Sequence, residues 1–442
     1  YLQADLEIKQ FMYPPPGFDP PKPGQVLRLD KALYGLKQSG REWGQLFRKN
    51  LLSWGFKATT ADECLFVKTH KGSLIRVLLF VDDLAIFHDN DQHGRKMKKD
   101  LLDSIADEGY DYSTSDDDHV YLGMAVHRIN ATCLFLTQER YVGDLSLKYG
   151  FNDCDDTWAP SPGGVITKQD CPHKPVPDGP CPDTADGQWD LEYLDPADNA
   201  DGKRFREICG ALRWLEQCTR PDISAVLSEL SKVQSNPGKV HVERLDHLMR
   251  YVSTTKHFGL RYGGPKGEHA NGILVGYTDS DWASDPDTRY SRGGYVFTVH
   301  QGPVVWCSQK MRAVAASSCE AEYMAASRAV REGKWLRHLL SDMGYSDLKT
   351  KHFGKFCDQD FAKMRLSSLV DPNEKPYTCM CDNMGAVAIS RNAVLHKRSK
   401  HIEVAYHIVR RETKDGHVVF IFIPTGENIA DLMTKGLNKS TH

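Results

Sequence analysis

The stretch GILVGYTDSDWA at 272–283 sets an apolar run of strand character directly against two aspartates. Residues 272–278 read as a strand, and Asp279 follows it at once. Outward from it, GYVFTV (294–299), PVVWCSQ (303–309), YTCMC (377–381) and HVVFIFI (417–423) have the same character. A long helix is predicted from near Ser317, where Ser317 and Glu320 have capping-box spacing, to Gly344. Its inner face takes Trp335, Leu336, Leu339, Leu340 and Met343. Three strands followed by alternating helices and strands predict a mixed-sheet α/β domain.

The acidic residues of this region fall at element ends. Asp279 follows the first strand, Glu322 lies in the first turns of the long helix, Asp382 closes the fourth strand and Asp431 opens the last helix. Each has an ordinary explanation alone: Asp caps turns, and Glu early in a helix complements its dipole. Converging, four carboxylates need a counter-charge, which oxygen-preferring divalent cations provide. Two such ions about 4 Å apart activate water and stabilise a leaving oxygen in phosphodiester hydrolysis.

A second acidic feature lies in LLFVDDLAIF (78–87), where Asp82 and Asp83 sit between apolar runs. Two strands joined by an Asp-Asp turn account for the pattern. Upstream, Trp43, Leu46, Phe47, Leu51 and Trp54 mark one face of an amphipathic helix after Gly40, with Gly55 as its stop. Between Lys168 and Gly202 six prolines and nine Asp/Glu stand against two Lys and no Arg, the composition of a solvated linker. From Lys203 to Tyr262 eleven Lys/Arg face six Asp/Glu on helical patterns. That excess suits a phosphate-backbone surface, and equally an ordinary solvated helical face.

At 442 residues and 40% hydrophobic, the chain is long enough for two or three domains. A net charge of −3 excludes a globally basic nucleic-acid binder, so any such binding rests on local patches. Twelve scattered cysteines without a CxxC pair read as reduced thiols of an intracellular protein. No run approaches the roughly 20 apolar residues of a membrane span, and no membrane partner is expected. Tyr1–Gln10 lacks a signal-peptide pattern, and a first residue other than Met predicts a fragment or processed product.

YTDSDWA, SRGGYVF (291–297), VVWCSQK (304–310), SSCEAEYMA (317–325), the DN of 382–383, HKRSKHIEVAYHIVR (396–410) and NIADLMTKGL (428–437) resemble, in order, the ribonuclease H domain of copia-type retrotransposon Pol polyproteins. FMYPPPGF (11–18), LDKALYGLKQSGREWG (29–44), DECLFV (62–67), LLFVDDLAIF, YLGMAV (121–126) and LTQERYV (136–142) resemble the reverse transcriptase of the same elements, and 210–237 the helical region after it. The resemblance implies an α/β chain: an α+β palm, a helical connection, and a ribonuclease H-like mixed five-stranded sheet. The implied divisions are a palm at 1–165, an acidic linker at 166–202, a thumb or connection at 203–265 and the nuclease at 270–438, with an insertion near 348–377.

It also implies that Asp279, Glu322, Asp382 and Asp431 hold two Mg²⁺ ions, with Mn²⁺ as a substitute, and that Asp82 and Asp83 are polymerase metal ligands. Asp281, Glu320 and Asp285 match non-catalytic positions. Lys37, Arg41, Lys400 and His401 are implied nucleic-acid contacts, and Trp43 is implied core. The implied partners are an RNA–DNA hybrid, RNA template and DNA, in a cytoplasmic particle or the nucleus. Deoxynucleoside triphosphates join them only with the upstream part present, because the third palm carboxylate and the fingers precede the position matched by Tyr1; Asp5 matches a later acidic position. Polymerisation by this chain alone is therefore not expected. The alternatives are a decayed retroelement product that binds nucleic acid or is inert, and a transposase or integrase, which leaves LYGLKQ and FVDD unexplained.

Overall fold

The computed structural model describes residues 2–18, 22, 24–115, 119–172, 199, 201–263, 274–345, 376–391 and 407–436. Lys400, His401, most of the acidic linker and nearly all of the expected insertion lie outside the described residues. Two compact units emerge, Tyr1–Ser115 with Trp335–Ser346, and Asp116–Lys334 with Asp347–His442.

In the first unit, β1 (Asp5–Met12) and β2 (Leu27–Lys31) form a hairpin. Helix α1 (Ser39–Ser53) leads into a four-stranded antiparallel sheet of β3 (Lys57–Ala58), β4 (Leu65–His70), β5 (Ser73–Phe80) and β6 (Asp83–His88). Helix α2 (Gln92–Asp107) follows. Strand β5 alternates strictly, so Ile75, Val77 and Leu79 point to one face. There they meet Trp43, Phe47 and Leu51 of α1 and Met97, Leu101 and Ile105 of α2, each set at helical spacing. Asp91 caps α2, its carboxylate accepting from Gly94 N at 2.7 Å and from Ser73 Oγ at 2.6 Å.

Trp335 departs from its expected inner-face position. Its indole N–H donates to the Ala61 carbonyl at 3.0 Å, and the residue stays 37% exposed while Leu336 and Leu340 are buried. An indole N–H needs a polar partner, and here the partner lies off the apolar face. Asp342 completes this corner by accepting from Thr60 N at 2.7 Å and Ala61 N at 3.1 Å.

In the second unit, β7 (His119–Tyr121), β8 (Met124–Asn130) and β9 (Cys133–Thr137) pair with β10 (Gly259–Tyr262) in the order β10-β9-β8-β7. Between them in sequence come α3 (Glu139–Tyr149), α4 (Gly202–Cys218), α5 (Ser224–Leu230) and α6 (Lys239–Thr254). Their apolar stripes, among them Phe205, Leu212, Leu227, Leu245 and Val252, close one core.

The same unit carries the mixed sheet. Strands β11 (Leu274–Asp281), β12 (Arg292–Val299) and β13 (Gly302–Lys310) are antiparallel; helix α7 (Ser318–Asp342) then precedes β14 (Tyr377–Cys381), which runs parallel to β11. After α8 (Met384–Arg391) and α9 (His407–Lys414), β15 (Val418–Phe422) adds parallel to β14, and the short α10 (Asp431–Thr434) ends the described chain. The order β13-β12-β11-β14-β15 makes the mixed five-stranded sheet that the resemblance implies. Asp279 lies inside β11, opposite Gly294, rather than just after the strand, because antiparallel pairing with β12 continues to Asp281.

Ionic contacts join this sheet to the helices before it. Asp285, 6% exposed, takes Lys232 Nζ on one oxygen and Lys310 Nζ on the other, both at 3.0 Å. Burial alone would raise its pKa; the bonds from Thr288, Lys310 and Lys232 outweigh this and hold it well below the usual carboxylate range. Arg292 reaches Ser228 Oγ at 2.6 Å and Glu229 at 3.7 Å, and Trp306 Nε1 donates to Glu216 O at 2.8 Å.

Candidate active site

Parallel pairing creates the site. Thr278 of β11 lies opposite Cys381 of β14, so the next residue on each strand, Asp279 and Asp382, emerges at the same end of the sheet. Helix α10 is laid across that end: Asn428 Nδ2 donates to Thr278 O at 3.0 Å, and the Thr434 hydroxyl donates to Asp279 Oδ2. The close approach requires glycine opposite Asp279. A Cβ at Gly294 would stand 2.3 Å from Met433 Cβ and 3.2 Å from Thr434 Cγ2. Asp431 thereby joins the two strand aspartates, with ligand oxygens of Asp279, Asp382 and Asp431 all within 4.8 Å of one another.

Glu322 comes from α7. Its Oε1 accepts from Ser280 N at 3.1 Å, while its buried Oε2 has no hydrogen-bond partner. It forms a second close group with Asp382 and Cys381. The Cys381 thiol is pushed well above its ordinary pKa by burial and then by Glu322, and as a soft donor it does not suit a hard cation. Ser317 Oγ caps α7 by accepting from Glu320 N at 3.2 Å, and Glu320 Oε2 turns back to Ala316 N at 2.7 Å. Glu320 is thus spent on the helix end, and Glu322 is presented to the cluster.

Burial pushes Asp279 up to about 7; Thr434 and Lys435 pull it down, while Asp431 and Asp382 push it further up. Burial, then Asp279 and Asp382, raises Glu322 to about 8. Buried oxygens that resist ionisation, one of them unpartnered, are the donor set an oxygen-preferring divalent cation fits. Sequence reading missed the supports: Thr434, Thr425, whose hydroxyl donates to Asp382 at 2.8 Å, and Lys435, whose Nζ is 2.9 Å from Asp431 Oδ1. Thr434 and Lys435 stand three and four residues after Asp431, a spacing that was legible as one helical face.

The hairpin aspartates are built differently. Phe80 pairs with Asp83 across β5 and β6, leaving Val81 and Asp82 as the turn, and both aspartates are exposed. Val81 has φ +52°, a left-handed conformation that is strained for a β-branched residue. Trp43 Nε1 donates to Val81 O at 2.6 Å, and Tyr34 OH donates to Asp82. Trp43 is therefore both core and a brace for the turn. Among the described residues, neither close group of three possible ligands includes Asp82 or Asp83. Asp5 is paired with Lys31 at 2.6 Å, and Lys37 and Arg41 are exposed.

Residues 1–162 match the family model described as reverse transcriptase (RNA-dependent DNA polymerase). The retrovirus-related Pol polyprotein from transposon TNT 1-94 of Nicotiana tabacum is 30% identical over 98% of this chain and 29% of that protein. Its counterpart from transposon RE1 of Arabidopsis thaliana is 31% identical over 100% of this chain and 26% of its own length. Among solved structures, the N-terminal RNase H domain of a Mycobacterium tuberculosis protein, fused to maltose-binding protein, matches at TM-score 0.23 and 12% identity, covering 36% of this chain and 89% of that one. The chain is similar to these retrovirus-related Pol polyproteins over nearly its whole length and spans about a quarter of theirs. No described helix is long and apolar enough to cross a membrane.

Proposed function

We propose that the region from 270 to 438 hydrolyses the RNA strand of RNA–DNA hybrids, using Mg²⁺ held by Asp279, Glu322, Asp382 and Asp431. The carrying observation is the meeting of Asp279, Asp382 and Asp431 oxygens within 4.8 Å, with Glu322 beside them. Bound there, two Mg²⁺ ions supply the charge that lowers the pKa of water and stabilises the leaving oxygen. The chain's own groups hold the ligands still: Thr434 fixes Asp279, Ser280 N fixes Glu322, Thr425 fixes Asp382 and Lys435 fixes Asp431. The same reading assigns the palm to 1–165, a linker to 166–202 and a helical connection to 203–265.

In this reading Asp82 and Asp83 serve RNA-directed DNA synthesis within a longer polyprotein, completed by a third carboxylate from elsewhere. Lys37, Arg41, Lys400 and His401 contact template or hybrid phosphates. The test is cleavage of labelled RNA–DNA hybrid and of duplex DNA by the whole chain, with Mg²⁺, Mn²⁺ or chelator. The reading expects hybrid cleavage that either cation supports and chelation abolishes. A folded chain that leaves the hybrid intact in both cations favours the decayed-element alternative.

A further inference from the structure

Among the described contacts of the cluster carboxylates, Thr434, Thr425 and the Ser280 amide are neutral donors, whereas Lys435 brings a full positive charge to a place where a cation is wanted. Its ammonium is 2.9 Å from Asp431 Oδ1, four residues back on the same short turn, with the Lys435 side chain 42% exposed. The charges of Asp279, Asp431 and Asp281 all act on this one ammonium. Two of those three acids belong to the group whose oxygens crowd within 4.8 Å. Thr434 anchors the same turn to Asp279, so the ammonium cannot leave without the side chain swinging outward.

We propose that Lys435 is the site's built-in counter-ion: it neutralises the carboxylates between loadings and competes with the divalent cation for Asp431. This rests on the functional reading above and deepens it, by assigning to one residue control over how tightly the cation is held. Two consequences oppose each other. Without a divalent cation, Lys435 relieves repulsion among Asp279, Asp382 and Asp431 and steadies the fold. In the presence of one, the same charge repels it, and Asp431 has one oxygen already engaged. The lysine therefore trades affinity for a cluster that tolerates being empty.

The experiment measures Mg²⁺ affinity by calorimetry, and thermal melting with and without Mg²⁺, for the whole chain as wild type, Lys435→Gln and Lys435→Arg. The glutamine variant is expected to bind Mg²⁺ about tenfold more tightly, given one unit charge removed at a partly screened distance. It is also expected to melt below wild type in chelator and to regain the difference in saturating Mg²⁺. Lys435→Arg, which keeps the charge, should stay near wild-type affinity. Unchanged or weaker Mg²⁺ binding by Lys435→Gln overturns the proposal and leaves the functional reading standing. A folded wild type that takes up no Mg²⁺ sinks both.

Discussion

Two pairs of carboxylates sit at strand ends in this chain, and they are made in opposite ways. Asp82 and Asp83 belong to one hairpin, placed by the contiguous sequence from Ile75 to His88, and both face solvent. Asp279 and Asp382 lie 103 positions apart and meet only because β11 and β14 align in parallel, after which α7 and α10 bring Glu322 and Asp431. The local construction needs no burial of its acids. The convergent one buries Asp279 and Glu322, and burial with the neighbouring carboxylates raises them to about 7 and about 8, the electrostatic demand on which the proposed cation site rests.

The sharpest way to break this contrast is to neutralise one carboxylate of each kind. Asp382→Asn should lower hybrid cleavage by about a thousandfold or more, given the several kcal/mol a metal site contributes to such a step. Asp82→Asn should leave hybrid cleavage within about twofold, since it is not among the ligands assigned to that reaction. Equal losses in both variants, measured on the same hybrid, would show that the two sites are not separate in function.

Next in size is the framework behind the convergent site. Asp285→Ala removes the shared partner of Lys232 and Lys310, and breaking a buried pair costs about 3–5 kcal/mol. Because Lys310 is 35% exposed, the lower end, about 3 kcal/mol, is expected in urea unfolding of the second unit. The Asp285 pKa is depressed in the folded chain. Its contribution is therefore fully present above the ordinary carboxylate range and fades as pH falls through the folded value, so wild type and variant should converge in strong acid. A constant gap across that acid limb would rule out the ion-pair assignment.

The opposite sign applies to Asp279 and Glu322. Their raised values mean that the folded chain binds more protons than the unfolded one between the ordinary carboxylate range and about 8. Cation-free stability should therefore fall as pH rises through that window. Mg²⁺ should reverse the loss, giving a rise in Tm larger at pH 8.5 than at pH 6 by about 2–4 °C for each kcal/mol recovered. A Mg²⁺ effect independent of pH would detach the cation from these two acids.

The smallest effect tests the local site. Val81→Gly removes the penalty of a left-handed β-branched residue and should steady the hairpin by about 1 kcal/mol. Slower hydrogen exchange along β5 and β6 would register it, whereas faster exchange would mean that the valine side chain contributes more than its backbone costs.

Much of this was readable from local pattern. The strand CLFLT appears at Cys133–Thr137, YTCMC at Tyr377–Cys381, and the amphipathic helix after Gly40 runs to Ser53 with Trp43, Phe47 and Leu51 buried. What escaped depends on contacts distant in sequence. Nothing near Trp335 announces that its N–H seeks the Ala61 carbonyl, and nothing in TDS shows that β11 continues past Asp279. Gly294 reads as one glycine among 35 until α10 is seen lying against it. Asp285 was set aside as non-catalytic, yet its two lysine partners come from 53 positions upstream and 25 downstream.

That last arrangement bears on how such elements trade parts. Asp285, Arg292 and Trp306 of the sheet each find a partner in the stretch between Glu216 and Lys232. A recombination crossover near 270 would hand the descendant a sheet whose partners Lys232, Ser228, Glu229 and Glu216 came from another lineage. The heritable cassette is therefore longer than the mixed sheet, and junctions that survive selection should lie upstream of the helices beginning at Gly202.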